Sequence, residues 1–398
     1  MRILQLHNTY QQRGGEDVVV AAEAKLLRDH GQTVDTLIVS NDVIAGIASQ
    51  LSTVISLRYS RASRDLVADR IRTFRPDLLH VHNTFPRLTA SVYDAAAALG
   101  VPVVQTLHNF RLGCSNGFLL RDDVVCEKCW HGSPYWGALH ACYRHSRPAS
   151  FFVADMIAHH RRRNTYSRKV DRFIALTEFS RGKFVELGLP ASRISVKPNF
   201  VDDPGPAPDS PRHGALFAGR LSAEKGIETL LEAWREIDYP LTIAGDGPLL
   251  ERVRTFGLKN VTVAGRLQAM EIKALMSAAA MLIFPSIWYE GMPLTIVEAF
   301  AQGLPVVGSN IGNISEMLIG GGGRLFEAGS ASALRREVQQ LIEDTALMRS
   351  LGREARFLYE AAFSPEANYR QLMKIYGEVS NSAASRATPA TDLSAGGL

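Results

Sequence analysis

The sequence predicts an α/β protein built from two doubly wound parallel-sheet domains in tandem. Three observations carry this. Short Val-, Ile- and Leu-rich runs alternate with longer amphipathic stretches, the alternation stops at a proline-rich segment, and it then restarts. Strands alternating with helices are the signature of βαβ units, whose parallel sheets are covered on both faces. The length of 398 residues fits two domains, at roughly 100–200 residues each.

In the first half, strand-like runs fall at 2–6, 34–39, 78–82, 102–107 and 172–176, with amphipathic stretches such as 16–30 and 89–99 between them. The break is Lys197 to Pro208. Pro198, Pro204, Pro206 and Pro208 exclude both helix and central strand there, so the linker is expected at this point. Strands are expected again at 214–218, 240–244, 261–264, 281–284 and 305–308. Helices are expected near 224–237, 270–279, 293–302, 331–345, 348–361 and 366–379. This divides the chain into a first domain, 1–198, with an insertion at 110–148, and a second domain, 207–364. A C-terminal helix, 365–380, would pack back on the first domain. The segment 381–398 lacks periodicity and reads as a disordered tail.

Composition narrows the classes. Hydrophobic residues are 46% and charged residues 21%, which excludes a wholly disordered chain. The longest apolar block, Ala278 to Pro285, is far shorter than the ~18–20 residues of a membrane span. The first residues lack a sustained apolar segment and a small-residue cleavage site, so the protein is expected in the cytoplasm. Charge is uneven. The formal balance is +9 over residues 1–200 and −5 over 201–398, so the first half is expected to face something anionic.

Motifs stand where strands end. Gly219-Arg220 and Lys225-Gly226 bracket a strand-to-helix turn, and their two cations could reach one phosphate. Gly245-Asp246-Gly247-Pro248 is half of a dinucleotide fingerprint and lacks its third glycine, so it reads as a tight turn beside a ligand. A buried strand ends at Pro285, Glu290-Gly291 makes the turn, and Met292-Pro293-Leu294 opens a helix whose first amides could hold a phosphate. Glu298 lies in that helix among Ile296, Val297, Ala299 and Phe300, so a buried carboxylate with partners is expected. In the first half, Gly14-Gly15 could approach a ligand closely, while His80, His82 and His108 sit at strand ends.

Together these segments resemble the retaining glycosyltransferases of family 4, over about residues 1–380. Gly14-Gly15, His108, Gly219-Arg220, Lys225-Gly226, Gly245 to Pro248, and Glu290 to Leu294 with Glu298 all stand in that family's order. Two segments depart from it: Asn199-Phe200-Val201-Asp202 and Gly312-Asn313-Ile314-Ser315-Glu316. The resemblance implies the GT-B fold, two Rossmann-like domains facing across a cleft, and a nucleotide-sugar donor. It implies that Arg220 and Lys225 neutralise the donor diphosphate, with Glu298 on the ribose and Glu290 on the sugar. His108 would stand near the reacting sugar. Gly14, Gly15, Gly219, Gly245, Gly247, Gly291, Met292, Pro293 and Leu294 would line the donor. No Asp-x-Asp stands at a strand end to hold a metal on the phosphates, so no cofactor is expected for donor binding.

All four cysteines, Cys114, Cys126, Cys129 and Cys142, fall in the insertion. A C-x2-C pair flanked by single cysteines reads as a structural zinc site of four thiolates, or else as independent thiols or a redox pair. Arginines cluster at 58–75 and again at 144–172, the latter beside Phe151, Phe152, Met156 and Ile157. Such a helix could lie on an anionic membrane or simply be solvated. The function expected is sugar transfer to a lipid-linked or polysaccharide acceptor in cell-envelope glycan synthesis. The alternatives are a nucleotide-sugar epimerase and a zinc-containing nucleic-acid-binding protein. Glutamates beside the cleft cations argue against a nucleic-acid partner, because they repel a phosphate backbone.

Overall fold

A computed structural model describes residues 1–9, 14–41, 53–205 and 211–387. Twelve short parallel strands, ten of them on the apolar runs, form two sheets. The first sheet holds β1 (Arg2–Thr9), β2 (Thr33–Ser40), β3 (Leu78–Asn83), β4 (Val103–Leu107), β5 (Arg172–Ala175) and β6 (Ile194–Val196), in the spatial order β2-β1-β3-β4-β5-β6. The second holds β7 (Ala215–Ala218), β8 (Leu241–Ala244), β9 (Val261–Gly265), β10 (Met281–Phe284), β11 (Val306–Ser309) and β12 (Gly323–Phe326), in the order β9-β8-β7-β10-β11-β12. Each order reverses once, between β1 and β3 and between β7 and β10. Ligands of open α/β sheets bind outside the carboxyl ends of the strands at such points.

Six helices position the site: α1 (Gly15–Asp29), α2 (Arg147–Arg162), α3 (Glu178–Glu186), α4 (Leu294–Ala301), α5 (Gly312–Ile319) and α6 (Pro365–Ala387). Helix α6 leaves the second domain and lies on the first sheet. Its Leu372, Ile375, Tyr376 and Val379 pack on Ile3, Leu27, Leu78, Val104 and Ile174. The opposite face of that sheet carries Leu4, Leu6, Leu79, Val81 and Val103. The alternation is the period of two that a pleated strand imposes.

The structure departs from the sequence expectation in three places. β6 and β12 had no counterpart, because three or four residues containing Ser or Gly and Arg give no strand signal. Helix α6 runs on to Ala387, seven residues into the segment expected to be disordered, and 388–398 lie outside the described residues. Of the proline-rich linker, 198–205 form no regular element and 206–208 lie outside the described residues.

Candidate functional site

The second domain presents two strand-end loops that touch. Gly245 follows β8 so closely behind the loop after β7 that a Cβ on it would stand 1.8 Å from the Gly219 carbonyl oxygen. No side chain fits there. The Leu221 amide donates to the Asp246 carbonyl at 2.9 Å and closes the pair of loops. Beside them opens a cavity of about 1060 Å³ lined by Gly219, Arg220, Gly245, Gly247, Lys273 and Glu298. Arg220 and Glu298 are exposed into it, and among the described residues neither side chain has a hydrogen-bond or ion-pair partner. This corrects the expectation for Glu298. It is the outward residue of an otherwise buried helix face rather than a buried carboxylate, because the cavity lies where a neighbouring element would have covered it. The surrounding protein still crowds it enough to raise its carboxyl above the ordinary value.

The cavity continues into a narrower cleft of about 350 Å³ between the two sheets' carboxyl ends. Glu290 is its focus. The residue is 5% exposed, and its Oε1 accepts from Lys225 Nζ at 2.7 Å, Ser286 Oγ at 2.7 Å and Trp288 Nε1 at 3.0 Å. Three donors on one oxygen satisfy the buried charge and fix its direction. Lys225 is thereby held at the cleft, 5.6 Å above the Trp288 ring. Met292 and Pro293 are buried, Pro293 stands at the N-cap of α4, and the open N-terminal turn of that helix faces the cleft.

The first domain supplies the opposite wall. His108 follows β4 and is 7% exposed, and its carbonyl comes so near Gly291 that a Cβ there would stand 2.7 Å from the oxygen. Gly15 meets Leu294, whose Cδ1 lies 3.7 Å from the Cβ position of the glycine. Gly14 is not among the cleft-lining residues. It precedes α1 and donates its amide to Asp17 Oδ2 at 2.9 Å. Behind His108, its Nε2 lies 3.0 Å from His82 Nδ1. Burial, followed by the neighbouring imidazoles of His82 and His7, pushes the His108 pKa well below the ordinary histidine value.

A clamp that the sequence did not point to joins the domains beside this site. Asn313, at the start of α5, donates to the carbonyls of Glu290 and Gly291, the latter at 2.7 Å. Its Oδ1 accepts from Thr177 and from Ser180 at 3.1 Å. Glu316 accepts from the amides of Glu178 and Phe179, at 2.7 and 2.5 Å, at the N-terminus of α3. Both belong to the segment Gly312 to Glu316 in which the sequence departed from the family pattern. Only their tertiary placement shows their partners.

The four cysteines are all free thiols of the insertion, a loop that carries a two-stranded hairpin and two short helices. Cys114 and Cys129 are buried, and burial together with the nearby thiols pushes Cys129 up to about 12 and Cys142 to about 11. The thiols are neighbours but are not drawn into a closed ligand set. Among the described residues, the groups with three ligand atoms within 4.8 Å of one another are Glu23/His80/His82 and Glu127/His131/Glu186. The loop reaches the cleft through Phe118, whose ring meets Trp288 edge-on at 5.1 Å.

Much of the charge in the basic clusters is paired within the chain. Arg58, Arg64, Arg70 and Arg72 are each paired with an aspartate. Arg161 turns inward and donates to the carbonyls of Cys129 and Gly132, at 3.0 and 3.1 Å. Met156 and Ile157 are buried under α2, leaving Phe151, Phe152, Arg162 and Arg163 outside.

Comparison with known proteins agrees with this architecture. The sequence pattern of the family described as "Glycosyltransferase Family 4" matches residues 1–203, and that of "Glycosyl transferases group 1" matches residues 204–357. An uncharacterized glycosyltransferase of Methanocaldococcus jannaschii is 29% identical over 171 residues, covering 42% of this chain and 48% of that one. A putative colanic acid biosynthesis glycosyltransferase of Escherichia coli is 27% identical over 231 residues, 52% of this chain and 57% of that one. The chain thus spans about half the length of these two relatives. The crystal structure of Anabaena HepE in complex with UDP superposes with a TM-score of 0.65 at 19% identity, covering 97% of this chain and 100% of that one.

Proposed function

We propose that this chain, which belongs to the glycosyltransferases of family 4, moves a sugar from a nucleotide-sugar donor to a glycan acceptor with retention of anomeric configuration. The observation that carries the proposal is the cleft itself. The Lys225–Glu290 pair faces His108 across it, and Arg220 and Glu298 line the adjoining cavity.

In this reading the nucleotide fills the larger cavity and the sugar the narrower cleft. Glu298 accepts from the ribose hydroxyls, and the second oxygen of Glu290 accepts from the sugar. Arg220, Lys225 and the first amides of α4 surround the diphosphate. The anomeric carbon–phosphate oxygen bond breaks and the carbon–acceptor oxygen bond forms on the same face. The acceptor proton passes to the departing phosphate oxygen. Negative charge develops on the diphosphate, and cations already held in place stabilise it without reorganising. The GT-B neighbour bound to UDP supports a uridine diphosphate donor, and the colanic acid relative supports a polysaccharide or lipid-linked acceptor. The exposed Phe151 and Phe152 next to Arg162 and Arg163 suit a lipid-linked one presented at an anionic membrane surface.

The test is sugar release from a panel of UDP-sugars, with Glu290→Gln and Arg220→Ala as controls. We expect slow hydrolysis of one donor without acceptor, abolished in both variants while they remain folded. Interconversion of two UDP-sugars instead would identify an epimerase.

A further inference from the structure

The strand face that meets α1 and α6 changes character along its length. It is apolar at the amino ends, with Ile3, Leu78 and Val104, and polar toward the cleft, with Gln5, His80, His82, Thr106 and finally His108. All of the polar members are at most 7% exposed. Burying so many polar groups costs stability unless each has a partner. Here they converge on one carboxylate, Glu23 of α1. Its Oε1 lies 3.2 Å from Gln5 Nε2, 3.1 Å from His80 Nδ1 and 3.4 Å from His82 Nε2. Its Oε2 receives Lys197 Nζ at 3.1 Å. Helix α6 closes the cluster, with Asn368 Oδ1 3.3 Å from Lys197 Nζ and the Tyr376 hydroxyl 2.7 Å from His80 Nδ1.

We propose that Glu23 and His82 are positioning residues that fix the tautomer of His108, holding its proton on Nε2 and leaving Nδ1 as a hydrogen-bond acceptor. The chain of inference is geometric. A neutral imidazole carries one N–H. If the His82 proton were on Nδ1, its bare Nε2 would face the Glu23 carboxylate at 3.4 Å, acceptor against acceptor. The two atoms are not aligned for a hydrogen bond, so the preference is electrostatic: the charge on the carboxylate favours the proton on Nε2. The His82 Nδ1 lone pair must then accept across the 3.0 Å contact, and the proton there belongs to His108 Nε2. Burial keeps His82 neutral, with its pKa lowered to about 3. Lys197 keeps Glu23 ionised: burial opposes ionisation, but Lys197 and His80 outweigh it and hold the carboxyl well below its usual range. Because Lys197 occupies the free carboxylate oxygen, the Glu23/His80/His82 group is a charge-paired relay rather than a metal site.

The consequence for the site rests on the transferase reading: His108 meets a donor-sugar hydroxyl as an acceptor. The tautomer itself does not rest on it, and the experiment separates the two. Protein labelled with 15N-histidine would be examined by long-range 1H–15N correlation, with His108 assigned by loss of its signals in His108→Phe. We expect one tautomer, protonated at Nε2. The double variant E23Q/K197M removes the charge pair but leaves no buried charge unpaired. It should show His108 in both tautomers, and kcat should fall roughly tenfold or more with little change in donor KM, as expected when a catalytic imidazole loses its orienting carboxylate. If that variant does not fold, His82→Leu is the second probe, and it should release the tautomer in the same way. Protonation at Nδ1 in the unsubstituted protein would overturn the proposal. So would a double variant, or a His82→Leu variant, that keeps a single Nε2 tautomer and full kcat. A single Nε2 tautomer in a protein that turns over no nucleotide-sugar would leave this inference standing and remove the transferase reading.

Discussion

At the scale of the residue, the site is a set of carboxylates and cations whose environments differ more than their motif suggests. Glu290 gives one oxygen to three donors and is almost closed to water, whereas Glu298, eight residues on, stands open in the cavity with no side-chain partner among the described residues. The spacing of the two glutamates was legible from the sequence. Their burial was not, because a one-dimensional apolar pattern cannot show which helix face borders a cavity. The same limit hid Arg161, which the sequence groups with its basic neighbours and the fold turns toward the carbonyls of the cysteine loop. Two outcomes follow at this scale. Glu290→Gln keeps the shape but loses the charge that holds Lys225, and kcat should fall about a hundredfold or more, the magnitude typical of removing preorganised electrostatics. Burial raises the Glu298 pKa, so its ionised, accepting form is lost at a higher pH than that of an ordinary glutamate. Donor affinity measured against pH should weaken there in the unsubstituted protein and be flat in Glu298→Gln. His108, with its pKa lowered, should add no step near pH 6.5.

At the scale of the element, loops at strand ends do the positioning and two contacts hold them together across the domains. Gly291 is glycine because the His108 carbonyl occupies the place of a Cβ. Gly291→Ala should therefore leave each domain intact yet push the walls apart, lowering kcat with a small change in Tm, a split that kinetics and calorimetry can read. The clamp of Asn313 and Glu316 on α3 should act in the same sense. Glu316→Gln removes a negative charge from a helix N-terminus, where it contributes about 0.3–1 kcal/mol, and differential scanning calorimetry would detect that loss. The cysteine loop is the remaining element. Six of the chain's non-glycine residues with positive φ fall in it: Leu119, Asp122, Asp123, Ala141, Arg144 and His145. Such a backbone needs a staple, and we expect one zinc per chain drawing the four thiols together. Elemental analysis of protein purified without chelator decides this, and a metal content near zero with four titratable thiols would exclude it. The regular elements were legible because each strand of four or more apolar residues leaves a run. β6 and β12 left none, and the clamp depends on contacts between residues 133 or more positions apart.

At the scale of the molecule, two sheets place their topological reversals opposite one another, and α6 ties the second domain back onto the first. The two-domain organisation was legible because the alternation stops at the prolines and restarts. The relay behind His108 was only half legible. Gln5, His80 and His82 stand on one strand face, yet their common partner Glu23 lies on a helix, and Lys197 comes only after β6. A whole-molecule consequence concerns the acceptor. If it is lipid-linked, Phe151→Ser with Phe152→Ser should reduce co-sedimentation with anionic vesicles and leave donor hydrolysis unchanged. Equal recovery in the supernatant for both proteins would favour a soluble acceptor.

The central claim is that the cavity beside Arg220 and Glu298 receives a nucleotide-sugar diphosphate. The most direct measurement is thermal unfolding in the presence of UDP and a panel of UDP-sugars, for the unsubstituted protein and for Arg220→Ala. A ligand at about 100 times its dissociation constant stabilises the fold by ~2.7 kcal/mol. At least one compound should raise Tm accordingly, and Arg220→Ala should lose most of that rise at the same concentration. If no nucleotide or nucleotide-sugar shifts the transition, or if the shift survives the loss of Arg220 in full, the assignment of the cavity is wrong.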